Sequence, residues 1–366
     1  MTHSNHDDPK HSDSKHEHAH EEQNDHPSDL TVQDRLAPTS SIEDAMISPL
    51  SLLTISSNQL SEIIRFYVDG LHLVLDGPLE LSESSLIQKH YGINETSTYQ
   101  IYHLHRPGVE GSIPIQVFIW DQPQPHIHQN WGALELGSFS IGFPNLDQSA
   151  LDQKMRTQGF GGLNEIEIYQ LQSPNGMPYT IKETIFKAPD YIHAVGIERC
   201  DGMPPLGAVD PHTGLGGPAY SSQIIRNTDD TLRFYRELLG LELRASWEWE
   251  SAGTDGALNI PDGTVFKFSL VYAPGATSGH LLFVEYMNQE VIEPLHPPRF
   301  PHVGIGMWSF QVKDLSAIMT KVQQQNWNVL HGQTSYIHPI LGSITSITLI
   351  DPNHFLIELY QPTLCT

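Results

Sequence analysis

Residues 233–243 (RFYRELLGLEL) repeat the pattern of residues 65–73 (RFYVDGLHL) at a distance of 168 residues. In both stretches an Arg-Phe-Tyr triplet is followed by Gly-Leu and a further alternating leucine. A second pair recurs at a spacing of 169, since residues 307–315 (MWSFQVKDL) align with residues 138–146 (SFSIGFPNL). An internal repeat of this length predicts two similar halves and guides the fold more strongly than any single motif.

The second pair of segments predicts how each repeated unit begins. Alternating apolar residues give way to a short turn containing Asn145 or Asp314, and then to an apolar period of about 3.6 residues. This order predicts a strand, a turn and a helix. The two helices are predicted to end at residues 158–160 and 326–327, where Gly or Asn precedes an aromatic residue.

The units are predicted to end in strands, because apolar and aromatic residues with strand preference fill residues 115–120, 281–286 and 355–360. Four βαβββ units result, at residues 45–121, 133–199, 217–289 and 300–362. The predicted fold class is α+β, with mixed sheets that form open cups. We expect neighbouring units to pair in chain order into two domains, 41–199 and 217–366, joined by a Gly- and Pro-rich linker at 200–216.

The amino-acid composition limits the classes of partner that the chain is expected to bind. The 19 basic and 43 acidic residues give a formal charge of -24, which disfavours nucleic acid and anionic membranes as partners. Two cysteines, Cys200 and Cys365, provide neither a disulfide framework nor a thiolate zinc cluster. The sequence has no apolar run of signal-peptide or membrane-spanning type, so we predict a cytoplasmic monomer or homodimer that binds a small molecule.

Residues 1–40 are predicted to be a disordered tail, because residues 1–30 carry seven histidines among acidic and small polar residues. Imidazoles at this density bind Zn, Ni or Cu loosely. A solvated tail with adventitious metal affinity is the preferred interpretation, and metal storage through the tail is the alternative.

Two longer segments resemble a known family. Residues 229–243 are similar to the first helix of a glyoxalase-type module, and residues 349–360 (LIDPNHFLIELY) are similar to its closing hairpin and strand. The chain beyond the tail therefore resembles the vicinal-oxygen-chelate superfamily, which holds glyoxalases, bleomycin-resistance proteins and extradiol dioxygenases. The resemblance implies that paired modules form a cup in which a divalent metal, Fe(II), Mn, Zn or Ni, chelates two neighbouring oxygens of a substrate. It implies no organic cofactor.

The resemblance also implies which residues hold that metal. Glu358 falls on the ligand position of the final strand, and Glu285 falls on the corresponding position of the third module. In the N-terminal half the equivalent positions hold Ile119 and Val195, which cannot bind metal. The site is therefore expected in the C-terminal half, and the N-terminal half is expected to be structural.

The first-strand ligand positions depart from the family pattern, because they hold Tyr220 and Met307. Tyr220 is a candidate catalytic residue. Gln223 and His302 lie nearby, and a bulge would bring either inward, so His302 is a candidate metal ligand. Met307, Gln223 and Ser309 are the predicted pocket residues.

The extradiol signature is present in a degraded form. His338, Asp351, Pro352 and Glu358 occur in the expected order, but Thr348 occupies the position of the tyrosine. His338 is the candidate acid-base catalyst.

The leading hypothesis is thus a divalent-metal enzyme, an extradiol-dioxygenase-like or glyoxalase-like lyase acting on a small aromatic or carbonyl-bearing molecule. The alternative is a metal-free, resistance-type member that binds a small molecule beside a degenerate metal site. Two further pairs of histidines, His126 with His128 and His103 with His105, alternate as in extended chain. Structural contacts are the preferred interpretation of both pairs.

Overall fold

A computed structural model describes residues 45–172, 176–251 and 260–363. The predicted tail at residues 1–40 and Cys365 lie outside the described residues. Within these ranges, each helix is too short or too polar to cross a membrane.

Four modules follow one another, each with a strand, a helix and three further strands, as predicted. The first module comprises β1 (Leu52–Ser57), α1 (Leu60–Ile63, extended by the π-helical Ile64–Gly70), β2 (Val74–Asp76), an additional helix α2 (Ser84–Tyr91), β3 (Tyr99–His105) and β4 (Ile115–Trp120). The second comprises β5 (Gly137–Asn145), α3 (Gln148–Thr157), β6 (Glu167–Gln172), β7 (Pro178–Lys187), a short 3₁₀ turn (Pro189–Tyr191) and β8 (His193–Arg199).

The C-terminal half repeats this plan. The third module comprises β9 (Tyr220–Ile225), α4 (Thr228–Leu232, extended by the π-helical Arg233–Leu238), β10 (Glu242–Glu250), β11 (Val265–Tyr272) and β12 (His280–Tyr286). The fourth comprises β13 (Gly304–Gln311), α5 (Leu315–Gln325), β14 (Val329–His338), β15 (Gly342–Ile350) and β16 (Leu356–Pro362).

The repeated sequence motifs adopt repeated local structures. Asp147, Asn227 and Asp314 each begin a helix by accepting a hydrogen bond from the amide three residues later, at 2.9 Å. This is the capping that short acidic or amide side chains provide at a helix N-terminus. The two Arg-Phe-Tyr triplets both lie in π-helical extensions of their helices.

The modules do not pair in chain order, so the predicted pairing within residues 41–199 and 217–366 is wrong. The first sheet joins the first and fourth modules through antiparallel β1 and β13, in the order β14-β15-β16-β13-β1-β4-β3-β2. The second sheet joins the second and third modules through antiparallel β5 and β9, in the order β10-β11-β12-β9-β5-β8-β7-β6. Every module offers its first strand for pairing, and the repeat alone does not specify which partner it meets.

Each sheet has a core face, which packs against the helices, and an opposite face, called the cup face. The largest apolar cluster unites the core faces of both sheets with the helices. The repeated Phe-Tyr pairs contribute equivalent contacts to this core: Tyr67 packs on Phe143 of the second module, and Tyr235 packs on Trp308 of the fourth. Helices therefore link the two sheets, and both cups face outward from the shared core.

Candidate functional site

The two cups differ in what occupies them. The cup of the second sheet, called the open cup, contains a cavity of about 240 Å³. The cup of the first sheet, called the filled cup, is occupied by α2, whose Ile87 and Tyr91 pack with Phe118, Met307 and Tyr336. The same architecture thus provides one cup with a cavity and one cup packed with side chains of α2.

The lining of the open cup is apolar and rich in aromatic rings. On one wall Trp247 stacks on Phe268 and Trp249 stacks on Phe266, with ring centroids 5.2 and 5.4 Å apart. The other aromatic members are Phe139, Tyr169, Tyr220 and Tyr286. Concave apolar cavities with a few polar groups are the usual sites of small-molecule binding.

Alternation along β9 explains why these side chains converge. Tyr220, Ser222 and Ile224 line the cavity. The intervening Ser221 and Gln223 point to the core face, where Ser221 Oγ accepts a hydrogen bond from Trp308 Nε1 at 3.0 Å. Since strand side chains alternate between faces, the sequence of β9 supplies a cup wall and a core surface together.

The floor of the open cup is small and uncharged. Ser140 and Ser222 hydroxyls lie 2.6 Å apart where β5 meets β9, and Val195 and Leu282 flank them on the neighbouring strands. Beside them the Tyr220 ring lies directly over Gly142, where a Cβ atom would come within 1.7 Å of it. Glycine at position 142 therefore permits Tyr220 to lie flat against the sheet.

Two carboxylates break the apolar lining. Glu167 on β6 and Glu183 on β7 are directly opposite each other in the antiparallel register, and Tyr169 Oη donates a hydrogen bond to Glu167. Burial raises the pKa of Glu183 to about 8, and the negative charge of Glu167 adds to this increase. An apolar wall thus holds a pair of acids whose charges repel each other.

Glu358 is the centre of the filled cup and is completely buried. His90 Nε2 of α2 lies 2.9 Å from its Oε1. Ser309 Oγ donates a hydrogen bond to its Oε2 at 2.7 Å, and Tyr336 Oη donates one to its Oε1 at 3.1 Å. A buried carboxylate requires such partners, because desolvation otherwise disfavours its charge.

A second polar group adjoins this one. The amides of Ile340 and Leu341 both donate to His338 Nδ1 at 3.1 Å, so the neutral ring carries its proton on Nε2. His338 Nε2 lies 3.1 Å from Gln116 Oε1, which also accepts a hydrogen bond from Tyr91 Oη at 3.2 Å. The imidazole is therefore a fixed structural donor in this arrangement.

The electrostatics of the filled cup follow from these contacts. Burial by itself would raise the pKa of Glu358, but the hydrogen bond from His90 and the Coulomb interactions with His90 and His338 outweigh it and lower that pKa to about 2. Burial lowers the pKa of His338 to about 4. Glu358 is charged and His338 is neutral at neutral pH.

Among the described residues, the cups do not provide the donor set of the implied metal. A divalent metal in a protein needs several nitrogen or oxygen ligands around one point. The open-cup floor offers the two serines, and the Glu358 carboxylate of the filled cup is engaged by protein donors. Among residues 45–172, 176–251 and 260–363, the one group of three His, Cys, Asp or Glu side chains with ligand atoms within 4.8 Å of one another lies elsewhere.

That group, called the edge triad, consists of Asp76, His103 and His105 on β2 and β3. His105 Nε2 lies 2.8 Å from Asp76 Oδ2, and the two imidazole rings stack with centroids 4.5 Å apart. His103 Nε2 is buried and has no hydrogen-bond partner within the described part of the chain. Burial and the neighbouring His105 lower the pKa of His103, which favours the neutral form that binds metal.

The residues predicted from sequence are distributed over several places. Tyr220 lines the open cup, whereas Glu358, His338, Met307 and Ser309 lie in the filled cup. The two candidate catalytic residues, Tyr220 and His338, therefore lie in different cups.

Three further predicted residues lie outside both cups. Glu285 accepts hydrogen bonds from the Thr228 amide at 2.8 Å and from its hydroxyl at 2.6 Å, at the start of α4. It belongs to the second sheet and Glu358 to the first, so the prediction that they hold one metal is wrong. Gln223 is buried on the core face, and His302 Nδ1 lies 2.8 Å from the Pro297 carbonyl before β13.

Sequence reasoning missed the residues that distinguish the cups. His90 belongs to α2, an addition to the first module that has no counterpart among the described helices of the other modules. Glu167 and Glu183 lie on β6 and β7, the second and third strands of their module, which no motif marks. Their position opposite each other could have been found only from the β6–β7 register.

Comparisons with known proteins agree with this architecture. Residues 218–359 match the model of the Glyoxalase/Bleomycin resistance protein/Dioxygenase superfamily. The solved structure of glyoxalase I from Zea mays is 14% identical, with a TM-score of 0.54, and the match covers 87% of this chain and 94% of that one. The structure of a mutant of the same maize enzyme gives 13% identity, a TM-score of 0.54 and the same coverage. At these identities the structures share the fold alone. No curated protein matches the chain.

Proposed function

We propose that the chain is a four-module member of the Glyoxalase/Bleomycin resistance protein/Dioxygenase superfamily, whose model is matched by residues 218–359, and that its open cup binds a small, largely apolar organic molecule without a metal. The observation that carries the proposal is the set of residues on the floor of the open cup. Serines, a valine and a leucine line the open floor, where the family resemblance leads one to expect metal ligands.

Aromatic walls support the same proposal. Rings bury a large apolar area with few torsional freedoms, which makes them effective contacts for small organic ligands. Both cups draw all their strands from one chain, so the proposal applies equally to a monomer or a homodimer.

The experiment that tests the proposal is calorimetric titration of the full chain with a neutral aromatic probe, 1-naphthalenemethanol. We expect saturable binding at one site. Ser222→Trp, which fills the cavity from its floor, should abolish it, while the volume-conserving Met307→Leu in the filled cup should leave it intact.

Two results would overturn the proposal: no saturable binding by the wild type, or equal binding by Ser222→Trp. Thermal unfolding shows whether Ser222→Trp is folded. If it is not, Trp249→Ala provides the second test, because loss of one aromatic wall should weaken binding by about tenfold.

A second candidate function is divalent-metal binding, which the family resemblance implies and for which the edge triad is the supporting observation. Two imidazoles and a carboxylate suit Zn, Ni or Fe(II). These residues lie on the outermost strands of the first sheet, apart from the open cup. The two candidate functions are therefore separable by mutation.

A further inference from the structure

We infer that the open cup selects organic cations, meaning molecules with an aromatic or otherwise apolar body and one positively charged nitrogen. This inference rests on the proposed function, because it names the class of ligand for the same cavity. It is carried by the placement of charge and aromatic rings around that cavity.

Among the described residues, the only charged side chains that line the cavity are Glu167 and Glu183. They are direct cross-strand neighbours, and like charges in such a pair destabilise a sheet. The adjacent Lys182 does not neutralise them, because its Nζ lies 3.3 Å from the Glu198 carboxylate. That carboxylate points away from the cavity and accepts a hydrogen bond from the Gln148 amide at the start of α3. A proton on Glu183 relieves this repulsion at neutral pH, and a cation bound in the cup would do so in its place.

The aromatic walls suit the same ligand. Tyr169, next to the acids, packs edge-on against Trp249 with ring centroids 5.8 Å apart. The faces of tryptophan and tyrosine attract a cation, most strongly where water is excluded. An anionic ligand would gain none of these interactions, and the negative charge of the acid pair would repel it.

The acids also predict how binding depends on pH. Among the described residues, Glu167 lies directly opposite Glu183, and Tyr169 on β6 and Tyr220 across the cavity lie near it. On β8, Arg199 lies one pair further along the same sheet face, opposite Ile181. With its pKa raised to about 8, Glu183 holds a proton at neutral pH in the empty cup. A bound cation would displace that proton, so affinity for the cation should increase between about pH 6 and pH 8.

Three probes of matched shape test the inference by calorimetric titration: 1-naphthylmethylammonium, neutral 1-naphthalenemethanol and anionic 1-naphthoate. We expect the cation to bind about tenfold or more tightly than the neutral probe, and the anion to bind more weakly than either. Titrations in two buffers of different ionisation enthalpy should show proton release with the cation alone.

Variants locate the effect. Glu183→Gln and, separately, Glu167→Gln should reduce the preference for the cation over the neutral probe by about tenfold. Glu165→Gln, which changes an exposed acid outside the cavity lining, is the control and should leave that preference unchanged.

Each alternative outcome has a distinct meaning. If the neutral probe binds and the cation binds no more tightly, the inference is overturned and the proposed function stands. If none of the three probes saturates, both are overturned. If the cation is preferred but the two lining variants retain the preference, the general negative charge of the chain attracts it and the inference is overturned.

Discussion

The filled cup and the open cup are built from the same modules and differ in how their polar groups are satisfied. In the filled cup the chain supplies a partner for its buried carboxylate, because α2 brings His90 to Glu358. In the open cup two carboxylates face a cavity without a basic partner among the described lining residues. The comparison teaches that a buried polar group with partners inside the protein stabilises the fold, whereas one without such partners indicates a ligand site.

The strongest test of this comparison removes the carboxylate of the filled cup. Glu358→Ala should lower the free energy of unfolding by about 3–5 kcal/mol, because His90, Ser309 and Tyr336 lose their buried partner. Urea unfolding measures the loss. Glu285→Ala is the matched control and should cost about 1–2 kcal/mol, since Glu285 only caps α4. Equal losses would contradict the distinction.

Acid should destabilise the filled cup through His338. Its pKa in the folded protein is about 4, below the ordinary 6.5, so the unfolded chain binds the proton more readily. The stability it contributes is present above about pH 6.5 and is lost as pH falls to about 4, by about 2–3 kcal/mol. His338→Asn, whose amide oxygen can accept from the same backbone amides, should flatten this part of the profile.

The measurement is urea unfolding of both proteins across this pH range. Burial also lowers the pKa of His193 to about 4 and of His280 to about 3, so some acid sensitivity should persist in the variant. An unchanged slope in His338→Asn would show that the filled cup does not respond to acid through this residue.

Raising the pH should destabilise the protein through Glu183 in the open cup. The pKa of Glu183 is raised to about 8 from an ordinary 4.5, so the stability it contributes is present at low pH and lost as pH rises from about 4.5 through about 8. Glu183→Gln should therefore be about 1 kcal/mol more stable than the wild type near pH 8.5, after allowance for partial solvent screening. Chemical unfolding with Glu165→Gln as control checks this, and a destabilised Glu183→Gln would refute it.

The smallest expected effect concerns metal binding at the edge triad. The full chain should bind about one more equivalent of Zn²⁺ or Ni²⁺ than a His103→Ala/His105→Ala variant, with the histidines of residues 1–40 present in both. Metal analysis after dialysis measures the difference. His126→Ala/His128→Ala is the matched control, and an equal loss of metal in both variants would argue against the triad.

Repeated features of the fold could be predicted from sequence. The spacing of 168 residues predicts the four modules, and the predicted turn residue Asp314 caps α5. At the other predicted turn, Asp147 caps α3 instead of Asn145. These features could be predicted because capping and strand alternation are local. The pairing of modules could not be predicted, because it depends on which first strands meet at long sequence separation, 82 residues between Ser140 and Ser222.

The candidate site was harder to predict for related reasons. The family resemblance marks Glu358 as a candidate ligand, but its observed partner, His90, lies 268 residues away and belongs to no motif. Glu285 was assigned to the same site by similarity to Glu358. The observed register places Val284 and Tyr286 in the open cup and Glu285 on the other face, since a shift of one residue reverses a strand.

The exchange of partners between modules has a consequence for how the chain acquires its structure. Residues 137–286 contain every strand of the open cup, whereas the first sheet must join β1 to β13 from opposite ends of the chain. All strands of the open-cup sheet are synthesised before the C-terminal module, whereas contacts of long sequence separation such as β1 with β13 form slowly. Pulse-labelling hydrogen exchange during refolding should protect β9 and β5 before β1 and β13. The filled-cup sheet would thus close last, and it would join the first and fourth modules around an open-cup sheet that has already formed.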